Sequence, residues 1–257
     1  MNPTYVLLWC CVVSSIYSFD GLIHDGLKAK KNSFIHSAAL AVECYEDSHW
    51  FWHCGASIIN QRILLTAAHC VQVCQVVDVL ITVGNNNRLK GTHISYLNHK
   101  YHEYYDIYSF RNDIAVIVTK EAIKFGESVG RVALVYDPPR SPVHVSGWGH
   151  IDKGKKAQLT ELRYATQSVM NTRECNNEMG GIPLGTICSK PTSKNKAWPL
   201  FGDSGNALVV RYYIQVGVAS FKDPTLDETI TVYSYVPYFM EWIQSTSKIL
   251  YCNDTNS

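Results

Sequence analysis

Three short segments, far apart in the chain, constrain its fold more than any other feature: Leu65-Thr66-Ala67-Ala68-His69-Cys70, Asn112-Asp113-Ile114-Ala115-Val116 and Gly202-Asp203-Ser204-Gly205. A serine hydroxyl is a poor nucleophile until a histidine takes its proton. That histidine needs a buried carboxylate to fix its tautomer and stabilise its cationic form. His69, Asp113 and Ser204 offer one residue of each type, so a chain using them to attack an amide must fold until all three converge. Short apolar runs separated by turn residues indicate how: 38–42, 63–67, 79–83, 114–118, 143–147, 207–210, 214–219 and 230–235. They are strand-length and β-branched or aromatic, which predicts an all-β chain of barrels or sandwiches.

Asp137-Pro138-Pro139-Arg140-Ser141-Pro142 is the expected linker, because clustered prolines break strands and stiffen a connection. His69 and Asp113 precede it and Ser204 follows it, so the site is expected in a cleft between two halves. After Pro237, which suits a first helical position, Phe239, Trp242, Ile243 and Thr246 recur at helical spacing. This predicts an amphipathic terminal helix packed on the body.

The net charge of +1 over 257 residues gives no reason to expect nucleic acid, a polyanion or a membrane surface as partner. Beyond the N-terminus no apolar run is long enough to span a bilayer. Tyr5 to Val13 is almost wholly apolar and reads as the core of a signal peptide, residues 1–18, cut after Ser18. The alternative is a buried N-terminal strand, since no positive side chain precedes the run. A secreted, extracellular protein is the expectation. Cleavage would remove Cys10 and Cys11 and leave seven of the nine cysteines.

The three segments resemble those of the chymotrypsin or trypsin-like serine protease family, over nearly the whole mature chain. Ser146-Gly147-Trp148-Gly149 resembles the family's Gly-Trp-Gly turn, and Gly217-Val218-Ala219-Ser220-Phe221 its Gly-Ile-Val-Ser-Trp segment. His99 to Tyr101 falls where a histidine and tyrosine are expected. The resemblance implies a chymotrypsin-like fold: two antiparallel six-stranded β-barrels with a C-terminal helix. Their expected bounds are roughly 22–136 and 143–236, with the helix over roughly 237–250 and a residual pro-segment at 19–21. It also implies disulfides Cys54–Cys70 and Cys175–Cys188, while Cys44 and Cys74 lie in loops that neighbour each other in such a fold. Val143 and Val210 stand at the two ends of one bridge the family has and this chain lacks. Leu200 stands at one end of another. Cys252 is left odd, either free or joined to another chain; otherwise a monomer is expected. Disulfides point to an oxidising compartment.

The resemblance assigns His69 as general base, Asp113 as orienting carboxylate and Ser204 as nucleophile. Ser220 would back Asp113, and the N–H groups of Gly202 and Ser204 would form an oxyanion hole. Losing one such donor costs roughly 3 kcal/mol of transition-state stabilisation. Three departures stand out. Asn206 and Ala207 replace the family's Gly-Pro after the nucleophile, a change expected to perturb the turn only modestly. Leu22-Ile23-His24-Asp25 replaces Ile-Val-Gly-Gly with no basic residue before it, so Asp203 either meets an amine freed by a non-tryptic cut or finds another donor. In the specificity pocket, Trp198 falls at the base, or one residue from it. Lys222 and Thr231 replace two wall glycines. Substrate binding would therefore involve Trp198, Ser220, Phe221, Lys222 and Thr231, with room for at most a small side chain and a rim charge that repels Arg and Lys. Phe110, in an aromatic-rich loop with Tyr101, Tyr104, Tyr105 and Tyr108, either lines an apolar subsite or faces solvent.

No cofactor is expected. His99 and His102 have ligand chemistry, but no second cluster supports a metal site. Asn253-Asp254-Thr255 is a glycosylation sequon. The expected function is endopeptidase hydrolysis of a protein or peptide through an acyl-enzyme on Ser204, with non-tryptic specificity. The alternative is a catalytically weak or inactive homologue that binds or regulates. A serine esterase of another fold is excluded by motif order, because there the histidine follows the serine.

Overall fold

The computed structural model describes Ile23 and residues 26–45, 47–140, 142–149, 160–194, 196–200 and 202–254, excluding the side chains of 47–49, 51–53 and 252–254. The expected signal peptide, the pro-segment, Leu22, and the side chain of Cys252 lie outside that description.

In chain order the strands are β1 (Leu27–Lys28), β2 (Ser37–Cys44), β3 (Asp47–Asn60), β4 (Ile63–Thr66), β5 (Val76–Val83), β6 (Thr92–Ile94), β7 (Tyr96–Tyr101), β8 (Ala115–Thr119), β9 (Ala133–Leu134), β10 (Val143–Gly147), β11 (Arg163–Val169), β12 (Thr186–Pro191), β13 (Ala207–Val210), β14 (Ile214–Phe221) and β15 (Thr231–Tyr235). The first sheet runs β6-β5-β2-β3-β4-β8-β7. Its two edges, β6 and β7, are one run interrupted at Ser95, so the sheet closes on itself. The second runs β11-β10-β13-β14-β15-β12 and closes through β11–β12 pairing, with the two-residue strands β1 and β9 added at β11 and β14. Each barrel thus has six principal strands, and closure leaves no long unpaired edge.

Period-two alternation decides how the barrels meet. In β2, Ala38 and Leu40 point into the first core with Ile58, Leu64, Ile81 and Ile117, while Ala39 between them points out. In β13, Leu208 enters the second core with Val143, Val145 and Tyr233, while Ala207 and Val209 point out. Ala39, Ala207 and Val209 then pack with Phe34, Trp148 and Leu162 in a third apolar cluster shared by the two halves. Small residues at two of these positions let the barrels approach closely. Val143 and Val210 are cross-strand partners, each 1% exposed, so an apolar pair fills the place where the family has a bridge.

The three disulfides are Cys44–Cys74, Cys54–Cys70 and Cys175–Cys188, with Cα separations of 5.8, 6.0 and 6.1 Å. The sixteen-residue separation of Cys54 and Cys70 is worth about 3 kcal/mol of chain entropy. Among the described residues there are two α-helices. The first, α1 (Thr172–Glu178), was not foreseen; Asn171 caps it by accepting the Glu174 N–H at 2.8 Å. The second, α2 (Met240–Asp254), starts later than expected. Pro237 sits in a preceding turn, where the Tyr238 and Phe239 N–H groups bond carbonyls three residues back, and the first helical bond seals on Phe239. Phe239, Met240 and Ile243 pack into the first core, so the tail returns from the second barrel to the first.

His36, in the turn leading into β2, is 2% exposed and its Nε2 has no partner. Burial lowers its pKa to about 4. A depressed histidine pKa contributes stability that is fully present above the unfolded value near 6.5 and lost as pH falls through about 4. The full loss is on the order of 3 kcal/mol. Urea unfolding at pH 7 and pH 4.5 is expected to show a larger drop for the wild type than for His36→Gln. Equal drops would mean that His36 takes up its proton without opening the fold.

Candidate active site

The carboxylate of Asp113 is wholly buried, and its donors come from both barrels. From the first, the His69 backbone N–H donates to Oδ1 at 2.9 Å and His69 Nδ1 lies 2.8 Å from Oδ2. From the second, the Ser220 hydroxyl donates to Oδ2 at 2.5 Å, and the Ser234 hydroxyl donates to the Asp113 carbonyl at 2.6 Å. His69 lies in a single 3₁₀ turn, Ala68–Cys70, anchored by the Cys54–Cys70 bridge. A carboxylate on Nδ1 favours the tautomer that leaves the other ring nitrogen, Nε2, as an acceptor. Phe110 and Asn112 adopt left-handed φ of 53° and 56° just before Asp113, and the Asn112 side chain ties the loop to the Tyr104 carbonyl at 2.9 Å.

Ser204 sits at the start of a turn locked from three sides. Its carbonyl accepts the Gly55 N–H at 2.8 Å, and the next N–H, that of Gly205, goes to Ala219 O at 2.8 Å. Gly205 has φ +78°, and a Cβ there would stand 2.3 Å from both Gly55 O and Thr66 Oγ1 and 3.2 Å from Cys70 Sγ. Only glycine fits. The turn bearing Ser204 is therefore pressed against the segment that bears His69. Gly202, the other expected oxyanion donor, has φ +89°.

Asp203 points away from the cleft and is fully buried. Its carboxylate accepts the Gly149 N–H at 3.0 Å and the Leu200 N–H at 2.9 Å. Burial raises its pKa to about 6, against these two bonds and the charge of Lys222. Of the two partners considered for Asp203, the described residues supply these backbone donors. Ile23 is buried in the second core, while Leu22, His24 and Asp25 lie outside the description.

The Lys222 ammonium is not the rim charge expected. Its side chain folds inward, and Nζ donates to Pro199 O at 2.6 Å and lies 5.8 Å from the centroid of the Trp198 ring. A carbonyl and an aromatic face together attract an ammonium whose stem is covered by protein. Thr231, expected at the pocket wall, is buried, and Trp198, expected at its base, is half-buried. Phe110 faces the cleft: its ring meets His69 edge-on at 5.8 Å and stacks on Phe221 at 5.2 Å. Tyr108, at 94% exposed, and Tyr104 face solvent instead. Tyr105 is drawn inward, its pKa raised by burial and the charge of Asp113. His99 Nδ1 lies 2.6 Å from the Tyr96 hydroxyl, and His102 stacks on Trp242. Among the described residues, the only group with metal-ligand proximity is Cys54, His69 and Cys70, whose two cysteines are bridged to each other.

The sequence reading missed two features. Asn206, expected to perturb the turn only modestly, packs between the two halves. It is 1% exposed, its amide donates to Asp203 O at 3.0 Å, and its side chain occupies the space that a Cβ on Gly55 or Gly147 would need. Behind the pocket, Gln167 accepts from the hydroxyls of Ser189 and Tyr233 and donates to Ala197 O at 3.3 Å, bracing the backbone beside Trp198. Gln167 lies in a strand of alternating burial, and a polar residue on its buried side was the available signal.

With this geometry in view, comparison with known proteins is informative. Residues 23–243 match the family model for trypsin. The chain is 27% identical to a chymotrypsin of Phaedon cochleariae, over 88% of this chain and 82% of that one. It is 29% identical to brachyurin of Leptuca pugilator, over 88% and 99%. The solved structure of HL collagenase superposes with a TM-score of 0.76 at 26% identity, covering 87% of this chain and 97% of that one. The chain belongs to the trypsin family of serine proteases, a class of hydrolases that acts on proteins.

Gly205→Ala is expected to destabilise the protein by roughly 3 kcal/mol, since the added methyl meets backbone and a buried hydroxyl at a left-handed φ. Urea unfolding measures this. A loss below about 1 kcal/mol would mean that the Ser204 turn is not clamped as described.

Proposed function

We propose that this chain is a secreted serine endopeptidase that cleaves peptide bonds through an acyl-enzyme on Ser204. The observation that carries the proposal is the buried Asp113 carboxylate, held by His69 N, His69 Nδ1 and Ser220 Oγ. In this reading the Ser204 oxygen attacks the scissile carbonyl carbon while His69 Nε2 takes the hydroxyl proton. The oxyanion is received by the N–H groups of Gly202 and Ser204. His69 returns the proton to the leaving amine as the C–N bond breaks, and water then cleaves the ester by the same route. Asp113 keeps its charge and stabilises the imidazolium.

Specificity is non-tryptic in this reading. Trypsin-like recognition needs a carboxylate at the pocket base, and Trp198 has none. Three disulfides support an oxidising, extracellular setting, as does the expected signal peptide.

A fluorophosphonate is expected to label the wild type on Ser204 and to leave Ser204→Ala unlabelled. Asp113→Asn is expected to lower kcat by roughly 10⁴-fold, because the wrong histidine tautomer is then held. Absence of labelling on folded protein would shift the reading to a non-catalytic binding homologue. Reporter peptides ending in Arg or Lys are expected to be cleaved negligibly and benzamidine to inhibit weakly. Efficient tryptic cleavage would overturn the placement of Trp198 and Lys222 in the pocket.

A further inference from the structure

We propose that Lys222 makes this pocket a receptor for an acidic side chain, so that the preferred substrate presents Asp or Glu on the acyl side of the scissile bond. The inference rests on the hydrolase reading above and names the substrate class of that site. In that reading Lys222 stands at the pocket wall, and the hydrogen-bond acceptor described for its ammonium is one neutral carbonyl, Pro199 O, at 2.6 Å. Among the described residues Lys222 has no ion-pair partner within 4.0 Å, although it is half-buried. Three carboxylates act on it from a distance: Asp203 behind the pocket, and Asp227 and Glu228 on the loop that leads to β15.

The Asp203 oxygens each accept a backbone N–H, from Gly149 and Leu200, and among the described residues Asp203 forms no ion pair with Lys222. Desolvation accordingly lowers the Lys222 pKa to about 8, as expected of a covered cation without a contact anion. A substrate carboxylate replacing Pro199 O would supply that anion in a site already shielded from water. A charge-assisted bond of this kind discriminates strongly between a carboxylate and its amide isostere. The Trp198 ring and Thr231 limit depth, which suits a short acidic chain whose carboxylate needs only to reach Nζ.

The test uses matched peptides that differ only at this residue: Asp against Asn, Glu against Gln, with Ala and Lys alongside. Turnover is measured with the wild-type full chain, and affinity with Ser204→Ala by calorimetry, so binding is read without chemistry. Each acid is expected to exceed its amide by about 10-fold or more in kcat/KM and in affinity. In Lys222→Gln, and in Lys222→Met should the first fail to fold, that ratio is expected to collapse toward unity. Equal values for acid and amide in the wild type, or a preference for Ala or Lys, would overturn the inference. The two readings fail separately. Fluorophosphonate labelling with no acid preference retains the hydrolase and rejects the role of Lys222. Acid-selective binding without labelling does the reverse.

Discussion

A carboxylate taken out of water must be met by donors, and the burial of Asp113 forces the arrangement of everything around it. An unpaired buried charge costs several kcal/mol, so the fold is stable only if donors converge on it. Two come from the 3₁₀ turn of His69 in the first barrel and one from Ser220 on β14 of the second. Ser234 on β15 binds the carbonyl of the same residue. Closing the two barrels on each other and completing the site are thus one event. Other cross-barrel polar contacts follow the same pattern: Ser57 donates to Gln215 at 2.7 Å, and the Ser37 and Ser146 hydroxyls lie 3.0 Å apart. Small hydroxyls suit this seam, because they satisfy partners without keeping apart the alanine-lined strand faces that must touch.

A second buried carboxylate organises the loop before Ser204. Asp203 folds back onto the N–H of Leu200, and Lys222 holds the carbonyl of the adjacent Pro199. The adjacent Pro199 carbonyl and Leu200 N–H are therefore held by a base and an acid respectively. The same lysine thus braces the backbone a few residues before Ser204.

The parts legible in the sequence are those whose chemistry is local. His69, Asp113 and Ser204 sit in segments whose neighbours report their roles, and the β-branched runs fall within or beside the observed strands. The cysteine pairs followed from the family likeness. Side-chain direction was not legible. The sequence alone suggests a rim charge for Lys222, because only the positions of Pro199 O and the Trp198 ring determine which way a four-carbon stem turns. Asn206 was read as a mild change, since nothing in the chain says that Gly55 and Gly147 leave a gap there. The short helix at Thr172 carries a cap signal, Asn171 followed three residues later by Glu174, but no apolar periodicity drew attention to it. Pro237 suited a helix start, yet i→i+3 bonding delayed the helix to Met240.

The departures from the family are distributed unevenly, and the distribution has a physical reason. The first barrel keeps His69 and Asp113 in familiar surroundings, whereas Trp198, Asn206, Lys222 and Thr231 all lie in the second. Proton transfer tolerates little displacement, so residues bonded to Asp113 have no freedom to change. The pocket walls are under a weaker constraint: their backbone must hold its course, but the space they enclose belongs to whatever side chain will enter. A lysine at 222 leaves the Asp113 network intact, because Ser220, two residues before it, still reaches the carboxylate. The strand β14 thus serves both demands. Ser220 binds Asp113, Phe221 stacks on Phe110, and Lys222, just beyond it, donates to Pro199 O.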